Sequence, residues 1–216
     1  MVVIEPKYIK VSNFYDGMAW FKDEYNKIGF INKEGEVVIK PKYEVVKDFQ
    51  MGLARVREGD KFGCINKKGE WVIQPKFFRI KKFDKTSGMA MAKDEDGWGY
   101  IKNDGEMIRF KNVNTYTDYS EGFSRVRIGK QWQYIDVNGG KLEGVIVDNK
   151  LKKMDASDVA LHLVGFGSRE FKGSLEPFQN GLARVKYNSK WGVVNTKGEW
   201  IIKPQYRYLK EFFIVN

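Results

Sequence analysis

The sequence predicts an all-β protein built from tandem β-hairpin repeats of about 35 residues, and three observations predict it. The first is internal copying: GFINKEGEVVIKPKYEVV at position 29 returns as GCINKKGEWVIQPKFFRI at 63, GYIKNDGEMIRFKNVNTY at 99 and GVVNTKGEWIIKPQYRYL at 192. The second is that three columns keep step. Gly17, Gly52, Gly88, Gly122 and Gly181 are spaced by 35, 36, 34 and 59 residues. Gly29, Gly63, Gly99, Gln133 and Gly192, and likewise Gly35, Gly69, Gly105, Gly139 and Gly198, are spaced by 34, 36, 34 and 59. The third is a hydrophobic period of two inside each copy, the signature of a half-buried strand rather than a helix.

The elements of each unit come in a fixed order. In GLARVREG, Leu53, Arg55 and Arg57 fall on one face and Ala54 and Val56 on the other, which makes the segment a strand. KFGCIN comes next as its hairpin partner. INKKGE, with its counterparts INKEGE, IKNDGE, IDVNGG and VNTKGE, is a tight turn. Its leading Asn or Asp accepts from backbone N–H groups two residues on, and the later Gly supplies left-handed backbone. WVIQPKF and VVIKPKY are β-branched and then meet Pro, which cannot donate to a ladder and so marks a strand end or an edge. About three short strands per unit result, with helix expected nowhere outside residues 152–170.

The units are expected at approximately 1–36, 37–70, 71–106, 107–140 and 178–216 of one repeat domain, with a degenerate unit or insertion at 141–177. That insertion accounts for the surplus in the 59-residue step, and it reads as a decayed repeat or as a loop with a short helix near Ser157 and Asp158. A four-stranded propeller blade of the WD40 type takes about 40 to 45 residues, more than the 34 to 36 of this period. The chain also holds six copies of the third segment against five hairpins. An open twisted superhelix of stacked hairpins is therefore expected, with a closed small propeller or barrel as the alternative.

Taken together, the repeats resemble the WG repeats of bacterial proteins. Trp98 with Gly99 and Trp191 with Gly192 form the eponymous pair, inside GWGYIKNDGE and KWGVVNTKGE. The pair is replaced by Ile28 and Gly29, Phe62 and Gly63, and Trp132 and Gln133 in the other units. The resemblance covers residues 2–140 and 178–216 and implies a widespread kind of repeat module without a family catalytic residue. Gln133 departs from the pattern, which puts a close backbone approach at that position in doubt.

The search for catalytic or metal chemistry is mostly negative. His162 and Cys64 are the single histidine and cysteine of the chain, so no histidine-pair or clustered-thiolate metal site can form within it. Cys64 shares a column with Phe30, Tyr100, Tyr134 and Val193 and reads as a small hydrophobe. Asp94, Glu95 and Asp96 at a hairpin turn lack the alternate spacing of a calcium loop, and GFG at 165–167 is too short for a phosphate fingerprint. Trp98, Trp132, Trp191, Phe14, Phe49, Phe83, Phe178 and Phe212 recur with the period and are expected in the core. No catalytic residue, metal site or cofactor is expected. A hydrolase or transferase using His162 and the 152–170 insert is the remote alternative.

One feature remains after these exclusions. Lys22, Arg57, Lys93, Arg127 and Lys186 place a cation in every hairpin, and Arg55, Arg125 and Arg184 stand two residues earlier on the same strand face. With 38 Lys and Arg against 28 Asp and Glu, a net charge of +10, such a row can steer an acidic partner or follow a polyanion. Alternatively the stems cover apolar surface and the heads pair with neighbouring acids. The expected function is a non-catalytic scaffold that binds a protein partner with an acidic surface, nucleic acid or another anionic polymer being the alternative. No apolar run approaches the roughly 20 residues of a membrane span. One cysteine and the absence of a signal-like N-terminus lead to the expectation of a soluble, cytoplasmic protein.

Overall fold

A computed structural model describes residues 8–129, 131–142 and 174–210. The described residues form nineteen β-strands and no helix. Five hairpins recur as expected: β2–β3 (Met18–Lys22, Ile28–Asn32), β6–β7 (Ala54–Glu58, Lys61–Ile65), β10–β11 (Ala90–Asp94, Gly97–Ile101), β14–β15 (Ser124–Ile128, Gln131–Ile135) and β17–β18 (Leu182–Tyr187, Lys190–Asn195). Every pairing is antiparallel. Residues up to Phe83 together with Ala90–Ile108 form one compact unit, and Asp84–Met89 with the residues from Arg109 onward form the other.

The expectation of three strands per unit is corrected to sheets of up to four. Each hairpin is flanked by the third segment on one side and by a short strand on the other. In the first sheet these are β4 (Val37–Tyr43) and β1 (Lys10–Val11), giving the order β1-β2-β3-β4. In the second they are β8 (Trp71–Phe77) and β5 (Val45–Val46), giving β5-β6-β7-β8. The third sheet runs β12-β11-β10-β9, with β9 Arg79–Ile80 and β12 Met107–Ile108. β13 (Val113–Tyr116) joins β14 and β15, and β16 (Ser174–Leu175) and β19 (Trp200–Tyr206) flank β17 and β18. Four strands fit into so short a period because the added strand needs only two residues. The chain kinks after Tyr43 or Phe77 and immediately contributes to the next sheet.

Pro41 and Pro75 sit within β4 and β8, the free edges of their sheets, where a missing N–H leaves no ladder bond unmade. The β3–β4 register shifts between Ile28 paired with Tyr43 and Phe30 paired with Ile39, so the edge strand bulges over Gly29. A Cβ at Gly29 would lie 2.4 Å from the Ile39 carbonyl oxygen, and at Gly63 and Gly192 it would lie 2.3 and 2.5 Å from those of Ile73 and Ile202. Crowding by this bulge is why the column is glycine. Gln133 takes the column's place in β15, where it pairs with Val126 and is buried.

The loops follow the expected side-chain chemistry. Asn66 Oδ1 accepts from the N–H groups of Lys68 and Glu70 at 2.9 and 3.0 Å, and its Nδ2 donates to Glu70 Oε2 at 2.7 Å. Asn195 and Asp136 accept similarly, from Lys197 and Glu199 and from Asn138 and Gly140. Gly69, at φ 82°, closes the Asn66 turn.

The core lies between successive sheets. Met18, Phe30 and Ile39 of the first sheet meet Val46, Phe49, Ala54 and Val56 of the second. Leu53, Cys64 and Ile73 of the second meet Ile80, Phe83, Ala90 and Ala92 of the third. In the other unit Tyr134 packs with Leu175, Phe178, Ala183 and Val185. Alternation in GLARVREG thus sends Ala54 and Val56 back to one neighbour and Leu53 forward to the next. Ser124 takes the place of the column's alanine; it is buried, and its hydroxyl donates to the Thr117 carbonyl at 2.8 Å.

Two core expectations are corrected. Phe49, Phe83 and Phe178 are buried, but Phe14 is 38% exposed. Each buried member packs on the preceding sheet, as Phe49 does on Phe30 at 4.8 Å and Phe178 on Tyr134 at 4.9 Å. Phe14 belongs to the first sheet and has no preceding one among the described residues. Trp98, Trp132 and Trp191 are only half-buried. Phe212, His162, the GFG run and nearly all of the 141–177 insertion lie outside the described residues.

Candidate functional site

By their position in the repeat, the eight cations expected to form a stripe divide into two rows with different chemistry. Arg55, Arg125 and Arg184 lie mid-strand on β6, β14 and β17, all partly buried. Each guanidinium donates through Nη1 to a backbone carbonyl further along the chain: Arg55 to Ile80 at 3.1 Å, Arg125 to Leu175, and Arg184 to Leu209 at 2.8 Å. These accepting residues occupy one column, so the inner row ties β6, β14 and β17 to the segments that carry that column. Trp20 takes the same position in the first sheet, where its Nε1 donates to Asp48 Oδ1 at 2.9 Å. Burial lowers the Arg55 pKa from its ordinary value, with Cys64 and Asp48 opposing the shift.

The outer row, Lys22, Arg57, Lys93, Arg127 and Lys186, is used differently. Among the described residues Lys22, Lys93 and Arg127 make no ion pair, and Lys93 and Arg127 are exposed. The Lys186 ammonium lies 5.6 Å from the Trp191 ring centroid, which Arg184 approaches at 5.7 Å. Lys81 likewise approaches Trp98 at 5.8 Å. Trp98 and Trp191 therefore serve partly as platforms for cations.

Among the described residues Arg57 alone of the outer row meets an acid, with Nη2 3.5 Å from Glu44 Oε2, while the Lys27 ammonium holds Oε1 of the same carboxylate at 3.1 Å. The Lys27 hydrogen bond and charge, reinforced by Arg57, pull the Glu44 carboxyl below its ordinary pKa. A hollow of about 220 Å³ opens here between the first two sheets, lined by Lys27, Lys42, Tyr43, Glu44, Arg57, Glu58 and Gly59. Sequence inspection missed it. The available signal was a break in the repeat, since Tyr43 and Glu44 stand where the next copy has Phe77 and Phe78.

Cys64 is fully buried, and burial pushes its thiol pKa up to about 12, with Arg55 pulling weakly the other way. The Asp94 carboxylate accepts from the Asp96 N–H at 3.0 Å, a turn-forming contact. Among the described residues no three His, Cys, Asp or Glu side chains gather as a metal site would need, and no helix is long and apolar enough to cross a membrane.

No curated protein matches this sequence. Among solved structures, Hsv2p of Kluyveromyces lactis is similar at a TM-score of 0.44 and 10% identity, over 89% of this chain and 63% of that one. The computationally designed Ika8 protein aligns at 0.40 and 8% identity, over 88% and 60%. The WD40 domain of SCAP from fission yeast aligns at 0.34 and 8% identity, over 95% and 58%. The chain thus spans less than two thirds of each of these structures. The profile described as "WG containing repeat" matches residues 1–27, 28–62, 62–97, 98–132, 173–191 and 191–213, and with its recurring hairpins and crowded glycine column the chain belongs to the WG-repeat family.

Proposed function

We propose that this chain is a non-catalytic repeat scaffold that binds a protein partner of acidic surface through the outer cation row. The supporting observation is the division of labour within the stripe. Arg55, Arg125 and Arg184 are engaged by backbone carbonyls, whereas Lys22, Lys93 and Arg127 are held by no acid among the described residues. A repeated cation without a structural partner raises the local field and favours an acidic surface. Repeat arrays suit this role, because exposed columns can vary while the shared core is kept.

The second reading, binding of nucleic acid or another anionic polymer, rests on the same row and the net charge of +10. Affinity capture from lysate with and without nuclease separates the two. A partner retained after nuclease supports the scaffold, and one lost with the nucleic acid supports the polymer. As part of the proposal the repeats stack as an open twisted array, in keeping with six third segments for five hairpins. Solution scattering that fits only a closed ring would reject that arrangement.

A further inference from the structure

We propose that the outer edge of the first sheet is a strand-addition site, at which an extended acidic segment of a partner protein pairs with Val38, Lys40 and Lys42 of β4. β4, β8 and β19 each end the order of their sheet, so one side of each strand is unpaired among the described residues. Such an edge offers a row of backbone donors and acceptors to an added strand. A proline in that row would remove a donor from it. The bulge turns each proline the other way. A Cβ at Gly29 would lie 2.4 Å from the Ile39 carbonyl oxygen and 2.8 Å from the Pro41 nitrogen, so both residues direct these backbone groups inward, over β3. Gly63 meets Ile73 and Pro75 in the same way, at 2.3 and 2.9 Å, and Gly192 meets Ile202 and Pro204 at 2.5 and 2.8 Å. Backbone groups alternate sides along a strand. The outward row of β4 therefore belongs to Val38, Lys40 and Lys42, and none of its donors is missing.

The side chains of the same residues specify the added strand. Ile39 and Tyr43 are buried, whereas Val38, Lys40 and Lys42 share an exposed face. The arrangement recurs, with Val72 and Ile201 in the place of Val38; the three are 40%, 56% and 41% exposed in that order. β8 keeps a cation at Lys76 and β19 at Lys203, with Gln74 and Gln205 at the other positions. Among the described residues Lys40, Lys42, Lys76 and Lys203 make no ion pair. Opposite charges and β-branched side chains facing each other across strands stabilise a pairing, and like charges directly opposite destabilise it. A second copy of this chain is a poor occupant, because antiparallel pairing centred on Lys40 sets that residue against itself. An antiparallel segment with acids at two alternate positions and a β-branched residue at the next alternate position meets Lys42, Lys40 and Val38 in turn. β4 presents two cations where β8 and β19 present one, which makes it the preferred edge. None of these residues belongs to the outer cation row, so the site stands apart from that reading.

The probe is the acetylated and amidated peptide Thr-Glu-Thr-Glu-Thr-Val-Thr, titrated into the full chain and followed by amide chemical shifts and hydrogen exchange. Saturable shifts centred on β4 are expected, with slowed exchange at the Val38, Lys40 and Lys42 amides. Lys40→Gln combined with Lys42→Gln should weaken binding about threefold or more. The same peptide N-methylated at both glutamates keeps its charge but loses its ladder donors, and should not bind. Equal binding by the N-methylated peptide would reduce the contact to charge attraction and overturn the proposal, as would the lack of saturable shifts at millimolar peptide. Binding lost in a Lys93→Gln, Arg127→Gln variant but kept in the Lys40→Gln, Lys42→Gln variant would move the segment to the outer row and equally reject the edge. Self-association of the free chain that protects the same three amides would give the edge to a second copy instead.

Discussion

The backbone N–H of Gly52 donates to Oδ2 of Asp16 at 2.6 Å, across 36 positions of sequence and from one sheet's turn to the next. Both residues sit in two-residue hairpin turns with left-handed backbone, Asp16 and Gly17 at φ 53° and 82°, Met51 and Gly52 at 55° and 78°. Such turns direct N–H groups outward, where a carboxylate from the preceding repeat can accept them. The same clasp recurs in the other unit. Asp84 accepts from Glu121 and Gly122 at 3.1 and 3.0 Å, and Glu121 from Asn180 and Gly181 at 2.5 and 2.7 Å.

Acid should loosen this clasp. Burial pushes the Asp84 carboxyl up, but hydrogen bonds from Ser87, Gly122 and Glu121 outweigh it and leave the pKa below its ordinary 3.8. A depressed carboxylate stabilises the fold above the unfolded value, and that contribution fades as pH falls through the lower folded one. Asp84→Asn should cost about 1 to 2 kcal/mol at pH 7, part-exposure keeping it low in the range for bonds to charged groups. The difference from the parent should shrink below about pH 4. Urea melts across pH check both, and a variant penalty unchanged at pH 2.5 would reject the clasp.

The two cation rows should respond oppositely to substitution. Arg125→Gln removes the tie to the Leu175 carbonyl and should lower stability by about 1 to 3 kcal/mol, the scale of a buried acceptor left unmade. Lys93→Gln and Arg127→Gln together should shift stability by no more than about 0.5 kcal/mol. The same pair should reduce capture of an acidic partner, read by binding assays at low and moderate salt. Retained partner capture by the pair would leave the outer row without the proposed role.

Gly63→Ala should be severely destabilising, because the added carbon falls 2.3 Å from the Ile73 carbonyl oxygen, 2.7 Å from Trp71 Cζ3 and 2.9 Å from the Pro75 nitrogen. Forced overpacking typically costs about 1 to 3 kcal/mol, and a backbone obstacle that cannot rotate away places this change at the upper end. Thermal melting measures it. Gly59→Ala, with open space around the added carbon but φ 58°, should cost less.

Truncating Phe178 should outweigh truncating Trp191. Phe178 is 1% exposed and touches both Phe123 and Tyr134, at 5.2 and 4.9 Å. Its replacement by Ala should cost about 3 to 5 kcal/mol. Trp191 is half-buried beneath Arg184 and Lys186, so Trp191→Ala should fall below that range. Paired denaturation curves decide the order.

Cys64 should resist alkylation in the folded protein at neutral pH, since burial in the core seals it and pushes its thiol pKa up to about 12. Iodoacetamide labelling should appear only as the protein unfolds, in step with a far-ultraviolet circular dichroism melt.

Much of the architecture was legible because repetition averages out local ambiguity. Gly52 alone is an ordinary turn residue; five such glycines in register mark five hairpins, and alternation in GLARVREG assigns both faces of β6. Asn66 and Asn195 announced their loops because side-chain capping is a local interaction. The chain's linear order withheld every contact made across sheets. It could not show that Val45–Val46, two residues after Tyr43, would leave one sheet for the next and complete a fourth strand. Nor could it separate Arg55 from Arg57, two residues apart on one face, because only the neighbouring sheet supplies the Ile80 carbonyl that claims the first. Composition and period decide which residues alternate inward. Whether an inward or outward side chain meets a carbonyl, a carboxylate or an open hollow depends on the partner surface, which exists only once the sheets have stacked.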